Sequence, residues 1–320
     1  MPGPLIKVKL GDLQMKVGLC LPQLGDGLTI DVVRDFAVRA EELGYDSLWV
    51  QDHFLWPLAP RRGYAGRDGA PIPAQYQSVF APLELLAAAA VWTDRVTLGT
   101  SILVAGNHWP APLAQRLSTI DHLAAGRLVV GLGVGWSAEE HDQSGTDITT
   151  RGARMDDFID ALLACWADDP VQHDGPFFTI SPSIMRPKPV QRPRPPLISG
   201  MWSAAGLDRT RRVFDGWNPA GLPVARAKAT LDAMNADRPD GLPPLTMHHR
   251  VFAQYPHAPT PDGDVVSRLA TEAADATAAG FDEIIIEHNF WSGIASPESW
   301  LDVPQQFLPV IAAAQVSGGG

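Results

Sequence analysis

The chain has 320 residues, 45% of them hydrophobic, and a formal net charge of -11. That length and apolar content suffice for a sizeable core, in one large domain or two small ones. The acidic balance argues against nucleic acid and anionic membrane as partners, because both need clustered Lys and Arg. Cys20 and Cys165 both sit in apolar stretches. Two such cysteines make no disulfide framework and suit a reducing cytoplasm. The opening "MPGPLIKVKLGDLQ" has no apolar core of signal-peptide type, and no run approaches the roughly 18 apolar residues of a membrane span. The expected setting is cytoplasmic.

In chain order, residues 1–14 read as an N-terminal extension and Met15 to Pro22 as a strand. A helix follows from about Thr29 to Leu43, with Ile30, Val33, Ala37 and Ala40 on one face, Thr29 as cap and Gly44 as stop. "DSLWVQ" is the second strand. Residues 55–80, rich in Pro, Gly and Arg, show no period and read as an insertion. The helix "PLELLAAAAVW" and strand "RVTLGTSILV" come next. After them stand the helix "APLAQRLSTIDHL", with Leu113, Leu117, Ile120 and Leu123 inward, and the strand "RLVVGLGVG".

A helix over about Met155 to Trp166 leads to a second insertion, 168–196. Eight prolines between Pro170 and Pro196 exclude regular core elements there, save a possible hairpin at "HDGPFFTI". The strands "PLISG", "DGWNP", "LTMHHRVFAQY" and "EIIIEHNF" then alternate with helices at "AAGLDRTRRVF", Val224 to Met234, Val265 to Ala279 and "VPQQFLPVIAAAQ". Residues 316–320 read as a flexible tail. Continuous apolar runs suit parallel strands covered on both faces. Eight strand–helix units therefore predict an α/β fold, a (β/α)8 TIM barrel with insertions after strands 2 and 4, in one domain over 15–315. A doubly wound sheet is the alternative.

In such barrels the active site lies at the C-terminal ends of the strands. Those ends carry Asp52, His53 and Trp56; Asn107, His108 and Trp109; Gly135, Trp136, Glu139, Glu140 and His141; "SGMWSAAG"; Trp217 and Asn218; and Glu287, His288 and Trp291. Tryptophan offers a flat face and one N–H donor, which suits a planar heteroaromatic ligand; packing under loops is the plainer reading of any one of them. "SGMWSAAG" leads from a strand into a helix. Gly200 there permits close backbone approach, and Ser203 caps the helix or, with its free N–H groups, binds an anion. "GLGVG" falls short of a dinucleotide fingerprint because Trp136 interrupts it.

These blocks carry a resemblance. "EELGYDSLWVQDHF", "RVTLGTSILVAGNHW…GRLVVGLGVGWSAEEH", "PKPVQRPRPPLISG" and "DGWNP" follow the order found in the luciferase-like monooxygenase superfamily, and most resemble its coenzyme F420-dependent oxidoreductases. The likeness runs over about Lys16 to Asn218. It implies a (β/α)8 barrel and hydride transfer between F420, a deazaflavin, and a small organic substrate. His53 then matches the histidine facing the reactive ring and is the proton donor or acceptor. Asp52 matches the acid beside it, which contacts the ring or stabilises imidazolium. Ser101-Ile102 matches a cis peptide behind the ring, and Gly200, Met201, Trp202 and Ser203 match the turn near the phosphate. Asn107, Gly135, Trp136 and Glu139 complete the expected cofactor contacts. Two positions depart from the family pattern: Trp136 stands where some sugar dehydrogenases have an acid, and Ser199-Gly200 replaces two glycines.

Residues 55–80 leave the same strand as His53 and so read as a lid. Trp56, Tyr64 and Tyr76, with Trp109 and Trp291, are the expected substrate pocket, and Arg61, Arg62 and Arg67 meet either an anionic tail or solvent. An FMN-dependent monooxygenase is the alternative, since barrel and phosphate turn serve both cofactors. A metal-dependent barrel hydrolase would draw on His53, His108, His141, His248, His288, Asp52 and Glu140, but no tight ligand spacing exists and no metal site is expected. His248 and His249 adjoin within a strand and point to opposite faces. A cofactor-binding protein without turnover is the remaining reading. A homodimer is the expected assembly, with a small-molecule substrate and neither nucleic acid nor membrane as partner.

Overall fold

A computed structural model describes residues 14–256 and 264–315. The expected extension (but for Gln14) and the expected tail lie outside them. β1 (Lys16–Cys20), β2 (Ser47–Val50), β3 (Thr97–Thr100), β4 (Leu103–Val104) and β5 (Leu128–Gly133) form the first half of a barrel. A hairpin of β6 (Val171–Asp174) and β7 (Thr179–Ser183) occupies the second insertion. β8 (Leu197–Ser199), β9 (Gly216–Trp217), β10 (Thr246–Phe252) and β11 (Glu283–Glu287) complete the wall. Every wall pairing is parallel. The order β3-β2-β1-β11-β10-β9-β8-β5 closes through pairing of β3 with β5. The third strand is not continuous: the Ser101–Ile102 peptide is cis, and beyond it the chain resumes as β4, paired to β5. β3 and β4 together make the third stave of an eight-stranded barrel.

Helices cover the wall. α1 (Ile30–Glu42) starts where the Thr29 hydroxyl accepts from the Val32 N–H, and Gly44 follows its end with a positive φ of 92°. Val33, Phe36, Ala37 and Ala40 are buried, but Ile30, in the first turn, is exposed. Leu123 is likewise exposed at the last turn of α3 (Pro110–Leu123), which follows α2 (Pro82–Trp92). α4 (Ala138–Gln143) is a short helix where the sequence suggested only a strand end. Ser137 caps it, accepting from the Glu140 N–H at 3.3 Å. α5 (Arg151–Trp166), α6 (Ala204–Val213), α7 (Val224–Ala236) and α8 (Val265–Ala278) continue the ring. The expected last helix is broken at Phe307 into α9 (Val303–Gln306) and α10 (Leu308–Gln315), since Pro309 cannot supply an N–H to a continuous ladder.

The barrel interior is layered. Near the bottom, Glu283 receives Ser47 Oγ–H and the His248 ring at 2.5 Å. In the middle, Cys20, Trp49, Ile198 and Ile285 pack together. Trp49 fills this layer only because Gly99 lies opposite: a Cβ there would sit 2.1 Å from its ring. Near the mouth, the buried Arg250 guanidinium pairs with Glu287 and donates to the Ser101 carbonyl. Burial disfavours charge on both, but each holds the other ionised. Arg250 is pushed above its ordinary pKa and Glu287 below its own.

Residues 55–80 arch over the mouth with two 3-10 turns, Tyr64–Gly66 and Ala74–Gln77. The Gln23 amide ties the far end of this lid down, donating to the Gln51 and Phe80 carbonyls at 2.7 and 2.8 Å.

Candidate active site

Beneath the lid lies an inner cavity of about 370 Å³. Asp52, His53, Tyr64, Tyr76, Ser101, Ile102, Gly135, Trp136, Gly200, Met201, Trp202 and Ser203, all site residues expected from sequence, line it. They come from the ends of β2, β3, β5 and β8 and from the lid, so barrel closure alone brings them together.

Asp52 and His53 are neighbours in sequence but not partners. The His53 Nδ1 lies 3.1 and 3.3 Å from the two Glu140 carboxylate oxygens. Glu140 also accepts from the Phe54 and Leu55 N–H groups at 2.7 and 3.2 Å. A carboxylate accepts, so His53 donates through Nδ1–H, and in the neutral ring Nε2 is the nitrogen with the lone pair. Asp52 instead accepts from the Val104 N–H and the His108 Nε2, both at 2.9 Å. The carboxylate partner of the His53 ring is thus Glu140, and the histidine partner of Asp52 is His108. Tyr76 and Trp136 pack on the His53 ring with centroids 4.6 and 5.3 Å away. The Tyr76 hydroxyl donates to the Gln51 side chain at 2.9 Å, and burial pushes the Tyr76 and Tyr64 phenols up.

Five expected site residues do not line the cavity. Glu139 accepts from the Arg61 backbone and guanidinium, 2.8 and 3.2 Å away, which pins the lid to α4; Asp142 adds a second contact at 2.6 Å. Helical phase explains the difference, since Glu139 and Glu140 point about 100° apart. The Asn107 amide is enclosed near the end of β4, without a hydrogen-bond partner among the described residues. Trp109 is exposed, with its ring against Phe178 and Arg154. Trp56 donates to the Ile72 carbonyl inside the lid, and Trp291 packs on Phe307. A strand-end position is necessary for a cavity wall but does not decide which way a side chain turns.

Gly200 has a different use from that expected. A Cβ on it would lie 2.8 Å from Ile102 Cγ2, and one on Gly133 2.6 Å from Ile102 Cδ1. The two glycines seat the Ile102 side chain, and all three residues line the cavity. Ser203 caps α6, accepting from the Gly206 N–H at 3.2 Å. Arg151, absent from the sequence expectations, lines the same end of the cavity. Its Nη1 donates to the Ile148 carbonyl at 2.7 Å, and among the described residues no carboxylate pairs with it. Its only signal in the sequence was its place after the fourth strand. Arg151 and the start of α6 line the same cavity and fit a phosphate group, and the flat-walled inner cavity fits a planar ring.

The histidines proposed as metal ligands are used singly. His141 contacts Thr146 and the Val134 carbonyl, and His288 donates to the Cys20 carbonyl at 2.6 Å. Burial lowers the His288 pKa to about 4. His248 faces the barrel interior, whereas His249 packs against Phe281. Among the described residues no group of three or more His, Cys, Asp or Glu could hold a metal ion, and no helix is long and apolar enough to cross a membrane.

The sequence pattern of luciferase-like monooxygenases matches residues 15–254, extending past the likeness over about Lys16 to Asn218. An F420-dependent glucose-6-phosphate dehydrogenase of Kribbella flavida is 36% identical over 157 residues, which are 47% of this chain and 42% of that protein. An FMNH2-dependent dimethylsulfone monooxygenase of Pseudomonas putida is 32% identical over 210 residues, 65% of this chain and 53% of that one. The chain thus spans about half the length of each. Among solved structures, an F420-dependent secondary alcohol dehydrogenase superposes with a TM-score of 0.67 over 93% of this chain and 99% of that one, at 16% identity. At that identity the likeness concerns the fold.

Proposed function

The chain belongs to the luciferase-like monooxygenase family, whose members make it an F420- or flavin-dependent oxidoreductase, and from that premise we propose that it transfers a hydride between coenzyme F420 and a small organic substrate. The observation that carries the proton half of this reading is His53. It lies on the cavity wall, with Nδ1 committed to a buried carboxylate and Nε2 left for a ligand. When bound there, the deazaflavin supplies the carbon that gives or takes the hydride. The protein's part is orientation and proton handling. Nε2 of neutral His53 takes the proton from a substrate hydroxyl as it is oxidised, and returns one in the reverse direction. Asp52, fixed by Val104 and His108, offers a second acceptor at the cavity wall. Ile102 and Trp136 would hold the ring, and Arg151 with the start of α6 would hold the phosphate.

FMN is the second reading, favoured by the longer alignment with the Pseudomonas monooxygenase. Titration of the purified protein with F420 and with FMN, followed by absorbance and fluorescence, separates the two, and oxygen consumption tests for monooxygenation. Preferential binding of FMN with oxygen uptake would overturn the F420 assignment. His53→Ala should keep cofactor affinity and lose about 10²–10⁴ of turnover; full turnover would remove His53 from the chemistry. The same reading takes the enzyme as a cytoplasmic homodimer. Its two buried, unpaired cysteines suit a reducing compartment, and light scattering reads the assembly.

A further inference from the structure

A second cavity, about 670 Å³, opens outside the first and shares Tyr64, Gly200, Trp202 and Phe252 with it. We propose that this vestibule binds the substrate, and that the substrate is a flat apolar carboxylate whose acid group meets Arg67. The assignment rests on the inner cavity holding the cofactor ring, because the vestibule is then the remaining space in contact with it.

Three observations carry the proposal. The vestibule wall is aromatic, aliphatic and proline-rich, and among the described residues Arg67 is its one charged residue. Trp202 and Tyr255 are 57% and 47% exposed, although large rings normally seek cover. Phe252 stacks on Tyr255 at 4.8 Å, so the vestibule offers a broad flat surface to an apolar body.

Arg67 is also held in place without being used. Arg67 N–H donates to the Tyr64 carbonyl, Ala70 N–H to the Arg67 carbonyl and Tyr64 N–H to the Ala70 carbonyl, at 3.1, 3.1 and 2.9 Å. This closes a tight turn over 64–70. Gly63 is required beneath it, since a Cβ there would fall 2.1 Å from the Arg67 carbonyl oxygen. Arg61 on the same lid is satisfied by Glu139 and Asp142, whereas among the described residues no carboxylate pairs with Arg67. The Arg67 charge reaches the phenols of both Tyr64 and Tyr255, on either side of the vestibule. In a chain of net charge -11, an unpaired cation against an apolar wall is a local anion site. The carboxylate would anchor the molecule at the rim, with its body directed past Trp202 toward His53.

The test uses 2-naphthoate and its uncharged match 2-naphthamide, with affinities measured by calorimetry on the full-length protein, alone and loaded with F420 or FMN. Naphthoate should bind about five- to tenfold more tightly than the amide. That preference should shrink with added salt, vanish in Arg67→Gln and largely survive in Arg67→Lys, which shows that the loop is intact. Trp202→Ala should weaken both ligands alike. Equal affinities, or a preference that Arg67→Gln leaves in place, would overturn the proposal. So would displacement of naphthoate by F420 but not by FMN, together with loss of F420 affinity in Arg67→Gln, because Arg67 would then serve the cofactor's acidic tail. The cofactor titrations are read separately. Naphthoate selectivity in the free protein can therefore stand or fall without the F420 assignment.

Discussion

Replacing Glu140 with Gln should exchange the tautomer of His53 with almost no change of shape. The Glu140 carboxylate collects three donors, Phe54 N–H, Leu55 N–H and His53 Nδ1, at 2.7, 3.2 and 3.1 Å. A glutamine keeps one oxygen, which can stay on the two backbone donors. Its amide nitrogen then faces Nδ1 and must donate to it, so the imidazole proton moves to Nε2. The ring nitrogen left for substrate becomes a donor and can no longer act as base. Two or three charge-assisted bonds become neutral ones, a loss of about 1 kcal/mol each, or about 2–3 kcal/mol of stability. Turnover should fall by about 10² or more in the direction that needs a base, with cofactor affinity unchanged. Nitrogen NMR of labelled histidine reads the tautomer directly, and steady-state kinetics read kcat apart from KM. A variant whose His53 still carries its proton on Nδ1, or which turns over at the parent rate, would refute the reasoning.

Glu287→Gln should destabilise the protein by about 3–5 kcal/mol in urea denaturation, since it strands the buried Arg250 guanidinium. Arg250→Met with Glu287→Leu should recover part of that loss; no recovery would mean that the pair is not the reason. His288 is held neutral, with a pKa lowered to about 4 by burial, so the unfolded chain binds its proton first. Its contribution is whole above about pH 6.5 and declines as pH falls toward 4, by up to about 3 kcal/mol. The decline between pH 7 and pH 5 should flatten in His288→Gln, measured as the urea midpoint at each pH. Gly99→Ala would drive a methyl into the Trp49 ring and should cost about 2–3 kcal/mol, visible as a lower melting temperature; an unchanged melting temperature would show that the Trp49 layer is loosely packed.

The barrel was legible because a parallel strand covered on both faces reads as a continuous apolar run; "EIIIE" and "LVVGLG" are β11 and β5. Its polar interior was not. Arg250 and Glu287 face inward at the mouth, yet one is a lone charge inside β10 and the other the last residue of β11, and neither announces a partner. The site was legible as a set of strand ends, and its pairings were not. Asp52 and His53 adjoin in the chain, so sequence couples them, whereas the fold sends Asp52 to His108 and His53 to Glu140, 56 and 87 residues away. Choosing between Glu139 and Glu140 required the phase of α4, and six residues are too few to display a helical period.

This difference in legibility follows the division of the site itself. The inner cavity is built mainly from the ends of β2, β3, β5 and β8, whose positions are fixed by the ladder hydrogen bonds of a closed sheet. Any chain that closes the same barrel with a histidine after β2 inherits most of it. The vestibule is walled by Phe252 of β10, by the segment after β9, which pairs with β10 at Ala220, and by the lid and the segment after β10, where glycine-dependent turns rather than a ladder shape the lid backbone. Substitution there leaves the barrel energetics almost untouched, because few of those side chains belong to its core. On the reading proposed above, selectivity for substrate can therefore change in the vestibule while the inner cavity keeps the proposed hydride chemistry. Arg67 and Trp202, rather than His53, are the positions at which a relative with a different substrate should differ.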